Sequence, residues 1–432
     1  MTSSRRGIPF LFYFLAALAT HGITIGFAGL FHSFTLFSGS HLISLTAFIT
    51  AALLSISLGS LISGWFAGKS LRPMLLFIVF QTIIGILFLF QPYTLQAARG
   101  MYHQTLGMLD PGPFGIEMLR FALAFVLLII PLSLFAGSFT LLVRHFIKHI
   151  GQSGRYMNAA ILAGSTGTMV TLLVLQFLML PIFGYESSHQ AAFLSLTAAA
   201  LVAYLFSFGK LSKTIKISIM PKKEQVEKTI LRFRKKKPVL EMGIKLTSAL
   251  LKVHYFQGLA SASLVFLTFR ISLMNCYELP AFTLIINGII ILSGIIAGGM
   301  LYKKVSEKPV NKYMTLATLQ ITAGFVLVLS YILMRVISAS QQPQPALIHS
   351  GTVENPAGMI LRSASLLFFP AFLNGLSLPL AGKLYPKRLQ QVSSAFGKLG
   401  ASFSFFAVVG ILVTAFILVP LIGIQLTYLH FA

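Results

Sequence analysis

The stretch GSLISGWFAGKSLRP, Gly59–Pro73, decides the fold class. A glycine-rich apolar run ends on Trp65, Lys69 and Arg72 follow, and Pro73 opens a second apolar run. Read plainly, it is a helix-packing segment and a turn; read sharply, it is the gate loop of a transporter or the anchor of an enzyme. The whole chain shares its grain. Of 432 residues 56% are hydrophobic and 10% charged, and the mean hydropathy is +0.85, whereas soluble domains carry about a quarter charged residues. These values describe an all-α polytopic membrane protein.

Eleven apolar stretches approach or exceed the roughly 20 residues that cross a bilayer as a helix. The first, Ile8–Phe37, is long enough to be bent or split. The third ends at Phe90, the fourth begins at Phe121, the fifth is Met157–Ile182, the seventh begins at His254 and the eleventh is Ser394–Val419. Lysine and arginine are retained on the cytoplasmic side. A cytoplasmic amino terminus then puts Arg5, Arg6, Lys69, Arg72, Arg144, Lys148, Arg155, the basic stretch 210–252 and the lysines near 303–312 and 383–387 all inside. Asp110, Glu117, Glu186, Glu278 and Glu354 fall outside. The expected location is a bacterial inner membrane, crossed many times. The net charge of +24 does not mark a nucleic-acid partner, because these cations sit in loops and not on a soluble face. The opening SSRRGIPFLFYFLAALAT has the parts of a cleavable signal, but its apolar run continues past Ala19 as a retained span does.

The quoted stretch recurs. SLGSLISGWFAGK returns as ILSGIIAGGMLYKK, with Gly294 for Gly59 and Lys304 for Lys69. LPIFG at Leu180–Gly184 returns as VPLIG at Val419–Gly423. The separation stays near 235 to 240, so the chain reads as a duplicated six-span unit: residues 1–208, a basic cytoplasmic linker at 209–252, and a second copy at 253–432. An even span number makes the copies parallel. After Gly423 too few residues follow for another span, so the second copy is expected to lack its last helix and to end outside.

Six plus six spans around a basic centre resemble the major facilitator superfamily. GWFAGKSLRP is similar to its loop signature after the second helix: Gly64, Lys69 and Arg72 match, while Gly68 stands where that family has aspartate. A closer resemblance is to the transmembrane domain fused to some bacterial spermidine synthase homologues. It rests on GFAGLF (Gly26–Phe31), LGSLISGWFAG (Leu58–Gly68), LFAGSFTLLVR (Leu134–Arg144) and LPIFG, with Gly258 and Arg270 in the second copy. The resemblance implies a facilitator-like fold. The aminopropyltransferase of that family needs a soluble nucleotide-binding domain, and the longest polar stretch here, 210–252, is too short for one. No enzyme activity and no cofactor are expected.

Individual residues carry weaker signals. Gly59, Gly64, Gly68, Gly294 and Gly298 read as helix-packing positions, since small residues let helix backbones approach closely. His145 and His149 lie one turn apart, but Arg144 and Lys148 beside them repel a metal cation. His21 and His32 share a helix face and read as hydrogen-bonded before they read as haem ligands. Lys398, about one turn into the eleventh span, must snorkel, pair or line a wet cavity. Lys398 and Ser402, together with the matching fifth-span residues Asn158, Ser165 and Thr166, are expected to make one polar lining, with Arg270 nearer the outside. Two functions remain: a carrier of a small organic solute, anionic if Lys398 and Arg270 recognise it, or a non-transporting subunit that organises a larger membrane complex. Replacing Lys69 and Arg72 together by glutamine is expected to lower the amount of inserted protein, read by membrane immunoblot, more than the activity per inserted molecule.

Overall fold

The computed structural model describes residues 8–39, 42–70, 72–109, 112–185, 187–208, 237–275, 280–307, 311–340, 356–386 and 389–431. Among them all regular structure is helical. The first half contains α1 (Phe10–Ser38), α2 (Leu42–Lys69), α3 (Pro73–Leu89), α4 (Gln91–Leu109), α5 (Pro113–Phe146), α6 (Ser153–Val174), α7 (Leu180–Phe183) and α8 (Ser188–Phe208). The second contains α9 (Lys237–Asn275), α10 (Pro280–Glu307), α11 (Lys312–Ser340), α12 (Pro356–Leu384), α13 (Val392–Val413) and α14 (Val419–Phe431). Among the described residues ten helical segments are long and apolar enough to cross a membrane, or eleven when the bent pair α3–α4 is counted as one span.

Several boundaries differ from expectation for physical reasons. The first span is one continuous helix. Residues 91–109, expected as an outer loop, form α4, bent 57° from α3. Their hydropathy is low, yet Ala, Leu, Gln, Arg and Met are good helix formers, and the Arg120 guanidinium of α5 bonds both Glu117 and the α4 residue Tyr102. The described part of the expected linker, 237–252, is the first part of α9. Arg5, Arg6, Asp110, Glu186, Glu278, Glu354 and residues 209–236, placed above from the sequence, lie outside the described residues.

Two features recur along the chain. A π turn at Leu175–Met179 precedes Pro181, and another at Thr414–Leu418 precedes Pro420. Proline lacks an N–H and clashes with the preceding turn, and a π turn is one way to absorb the misfit. Each helix then turns on a glycine of positive φ, Gly184 at 66° and Gly423 at 77°, 239 residues apart. After Gly423 the chain is again helical to Phe431. α14 as a whole packs against α9 and α11. Residues 424–431 continue it as a short helix after the turn.

Packing also recurs. α2 lies against α5, and α10 against α12. A Cβ on Gly59 would strike the backbone of Ser133, and one on Gly294 the backbone of Phe368; both pairs are separated by the same 235 residues. Gly298 meets Phe372 in the same seam. Gly68 lies half-exposed in the last turn of α2, where Lys69 folds its ammonium over the exposed Trp65 ring at 3.7 Å. Gly59→Val is expected to overpack the α2–α5 seam, costing about 1–3 kcal/mol and lowering the melting temperature in detergent. Gly100→Ala, where nothing lies within 4 Å of the added carbon, should leave it unchanged.

Candidate functional site

The two halves meet along two seams. In one, Gly64 of α2 lies against Gly397 and Ser393 of α13, and the Ser57 hydroxyl donates to the Ala401 carbonyl at 2.9 Å. In the other, Gly299 of α10 lies against Leu162 and Asn158 of α6, and the Asn158 amide donates to the Gly299 carbonyl at 3.0 Å. A Cβ at Gly64 or Gly397 would enter the backbone of the facing helix, while one at Gly299 would press on the ends of the Leu162 and Asn158 side chains.

The halves are also joined at one end, where basic residues cap the helices. Val392, with Leu389 and Phe396, packs into a cluster of Phe12, Leu142, Ile147 and Tyr156 from the first half. Gly154 sits against Tyr302, Pro379 and Lys383; Met157 sits against Gly382; and Lys383 Nζ donates to the Ser306 carbonyl at 3.0 Å. Away from this end the cores separate. One, around Phe34, Phe48 and Leu128, is built from the first half alone; another, around Leu264, Leu327 and Leu367, from the second alone.

Polar side chains pair near mid-span within each half. In the second half, Gln257 of α9 donates to Asn374 of α12 and, at 2.7 Å, to the Ser377 hydroxyl, while Asn374 Nδ2 donates to Ser261 at 2.8 Å. Gln257 is 5% exposed and its Oε1 is buried with no partner among the described residues. Asn374 and Ser261 are half-buried. Within lipid such groups find partners or face a cavity. In the first half, Thr24 of α1 lies 3.4 Å from Thr168 of α6, and His21 Nδ1 lies 2.7 Å from the Thr171 hydroxyl. That hydroxyl donates to the Gly167 carbonyl, so it accepts from His21, which therefore carries its proton on Nδ1. His32 stacks on Tyr185 with centroids 3.6 Å apart. Both histidines thus have protein partners.

The residues expected to line one site are dispersed. Lys398 is exposed, on a stripe with the exposed Phe405 and Leu412; that apolar company suits a lipid-facing surface, from which a lysine near a helix end reaches the interface. Ser402 is half-buried and donates to the Lys398 carbonyl. Thr166 is exposed beside Val170 and Leu173. Ser165 is buried, and Asn158 belongs to the α6–α10 seam. Arg270 is half-buried, with Nε unpartnered among the described residues. The amide and hydroxyl cluster of Gln257, Ser261, Asn374 and Ser377 was missed, although an intramembrane glutamine and asparagine are themselves a signal.

No protein-family model and no curated protein sequence matches the chain. Solved structures do. A POT family transporter in complex with 5-aminolevulinic acid covers 98% of this chain and 92% of its own, at 15% identity and a TM-score of 0.57. The human organic anion transporter MFSD10 covers 98% and 95%, at 12% identity and 0.54. The chain has the major facilitator fold. The proton:xylose symporter XylE of that superfamily agrees, covering 98% and 92% at 15% identity and 0.52.

Replacing Gln257 by methionine removes two donated bonds and one orphaned carbonyl together. Intramembrane hydrogen bonds average about 0.6 kcal/mol, so the melting temperature is expected to move by only a few degrees, read by light scattering of the purified protein.

Proposed function

We propose that this multi-pass protein is a carrier of a small organic solute in the bacterial inner membrane, with its amino terminus in the cytoplasm. It is read as two copies of one six-span unit, kin to the transmembrane domain of spermidine synthase-like proteins and without their enzyme. Recurrence of the π turns and of the positive-φ glycines at 239 residues, and of the Gly59 and Gly294 contacts at 235, supports the duplication. The observation that carries the carrier reading is a joined basic end together with a polar patch at mid-span, where carriers of this fold hold their solute between the halves. The solved neighbours, named for an organic anion, xylose or 5-aminolevulinic acid, fit a small polar solute.

Asn374 and Ser261 are the groups placed to hydrogen-bond that solute, with Thr24, Thr168 and Ser165 on the facing half. Arg270 is the candidate cation for an acidic group. Lys398 acts as an interfacial anchor in this reading, and Thr166 and Ser402 lie beside the lining. The test needs no solute. With Cys276→Ser as background, Ser261→Cys should react with a membrane-impermeant thiol reagent added from the side opposite the lysines, and more than tenfold slower from the lysine side. Ser402→Cys should react from neither. Ser261→Cys unreactive from both sides would overturn the carrier reading.

A further inference from the structure

We infer that an anionic phospholipid binds on the lipid-facing side of the α2–α13 seam, its phosphate held between Lys69 and Lys398. The site depends on neither the carrier activity nor the duplication. The Ser57–Ala401 bond and the approach of Gly397 to Ser60 and Gly64 set α2 and α13 antiparallel, with Lys398 near the level of Ser60. Each residue turns a helix by about 100°, so Trp65, next to Gly64, and Lys398, next to Gly397, leave the seam sideways. Because the helices are antiparallel, both leave it on the same side. Leu61 and Lys69 of α2 and Phe405 and Leu412 of α13 are exposed there too.

The two cations converge. Their backbones lie about 13 Å apart along the seam, the helical rise from Ser60 to Lys69. A lysine at a helix end ordinarily carries its head out to water. Lys69 does the reverse: its ammonium folds back one turn over the Trp65 ring, 3.7 Å from the centroid. Lys398, on a four-carbon stem, can reach about one helical turn toward the same level. Trp65 suits headgroup depth, where tryptophan is enriched. Neither α2 nor α13 carries an aspartate or glutamate, so the helices that present these charges offer them no counter-ion. A lipid phosphate at that depth does.

All phospholipids carry a phosphate, and the pair of lysines selects among them. An ethanolamine or choline headgroup sets its own cation beside the phosphate, where it would meet two ammonium groups of like charge. A glycerol headgroup sets hydroxyls there instead, and the half-buried Ser394 and the exposed Gln391 stand on the same side of α13 to bond them. The acyl chains then lie along Leu61, Phe405 and Leu412. The other seam between the halves lacks these groups: the residue after Gly299 is the exposed Met300, and the residue after Asn158 is the buried Ala159.

The test uses the full chain, purified in a neutral detergent and titrated with phosphatidylglycerol, with retained lipid read by native mass spectrometry. One tightly held lipid is expected. Lys69→Met and Lys398→Met should each weaken its retention about fivefold. Lys398→Arg should keep it, and Lys304→Met, at the exposed lysine of the other seam, should leave it unchanged. A second measurement needs no variant: phosphatidylglycerol with a diazirine in its acyl chain, in nanodiscs of phosphatidylcholine, should label the peptide around Leu61 or Phe405 at least fivefold over that around Met300. Wild-type retention in both methionine variants, equal retention of phosphatidylethanolamine, displacement of the lipid by an equal concentration of inorganic phosphate, or equal labelling around Met300 would each overturn the inference.

Discussion

The fold depends on backbone meeting backbone. Lipid tails are as apolar as leucine, so burying apolar surface between two helices within a bilayer brings little of the drive it brings in water. What remains is close van der Waals contact and hydrogen bonding, and both need the helix axes near each other. Gly59 on Ser133, Gly294 on Phe368 and Gly64 on Gly397 provide that approach. Each also removes the side chain that would have held the helices apart. The seams within and between the halves follow from these few positions, and the large apolar side chains fill the space that remains.

The carrier proposed above faces two demands. Its halves must hold together firmly enough to exclude ions, yet part far enough to admit a solute. The distribution of contacts answers both. The basic ends of α6, α10 and α12 interlock through small residues and one lysine-to-carbonyl bond, while the cores further along α1, α9 and their neighbours belong to one half or the other. Asn374 donates to Ser261, which satisfies both within an apolar medium at no fixed charge. A neutral pair of this kind exchanges partners more cheaply than an ion pair, whose desolvation is much larger.

Hydropathy and composition, which act along the chain one residue at a time, were enough to read the membrane as solvent and the fold as helical. The sequence also carries recurring segments, since Gly59 and Gly294 or LPIFG and VPLIG recur in one dimension. It left α4 unseen, as Gln91–Leu109 has helix-forming residues without the apolar content that marks a span. Above all it left the rotation of each helix undecided. In a lipid-solvated helix the outward face and the packed face are both apolar, so no amphipathic contrast says which way Lys398 points. Only tertiary contacts turned Gly397 into the α2 seam and Lys398, one residue on, toward the exposed stripe of Phe405 and Leu412. The same contacts brought Gln257 to Asn374 across 117 residues, a pairing that depends on how α9 and α12 cross and therefore on where their small residues let them touch.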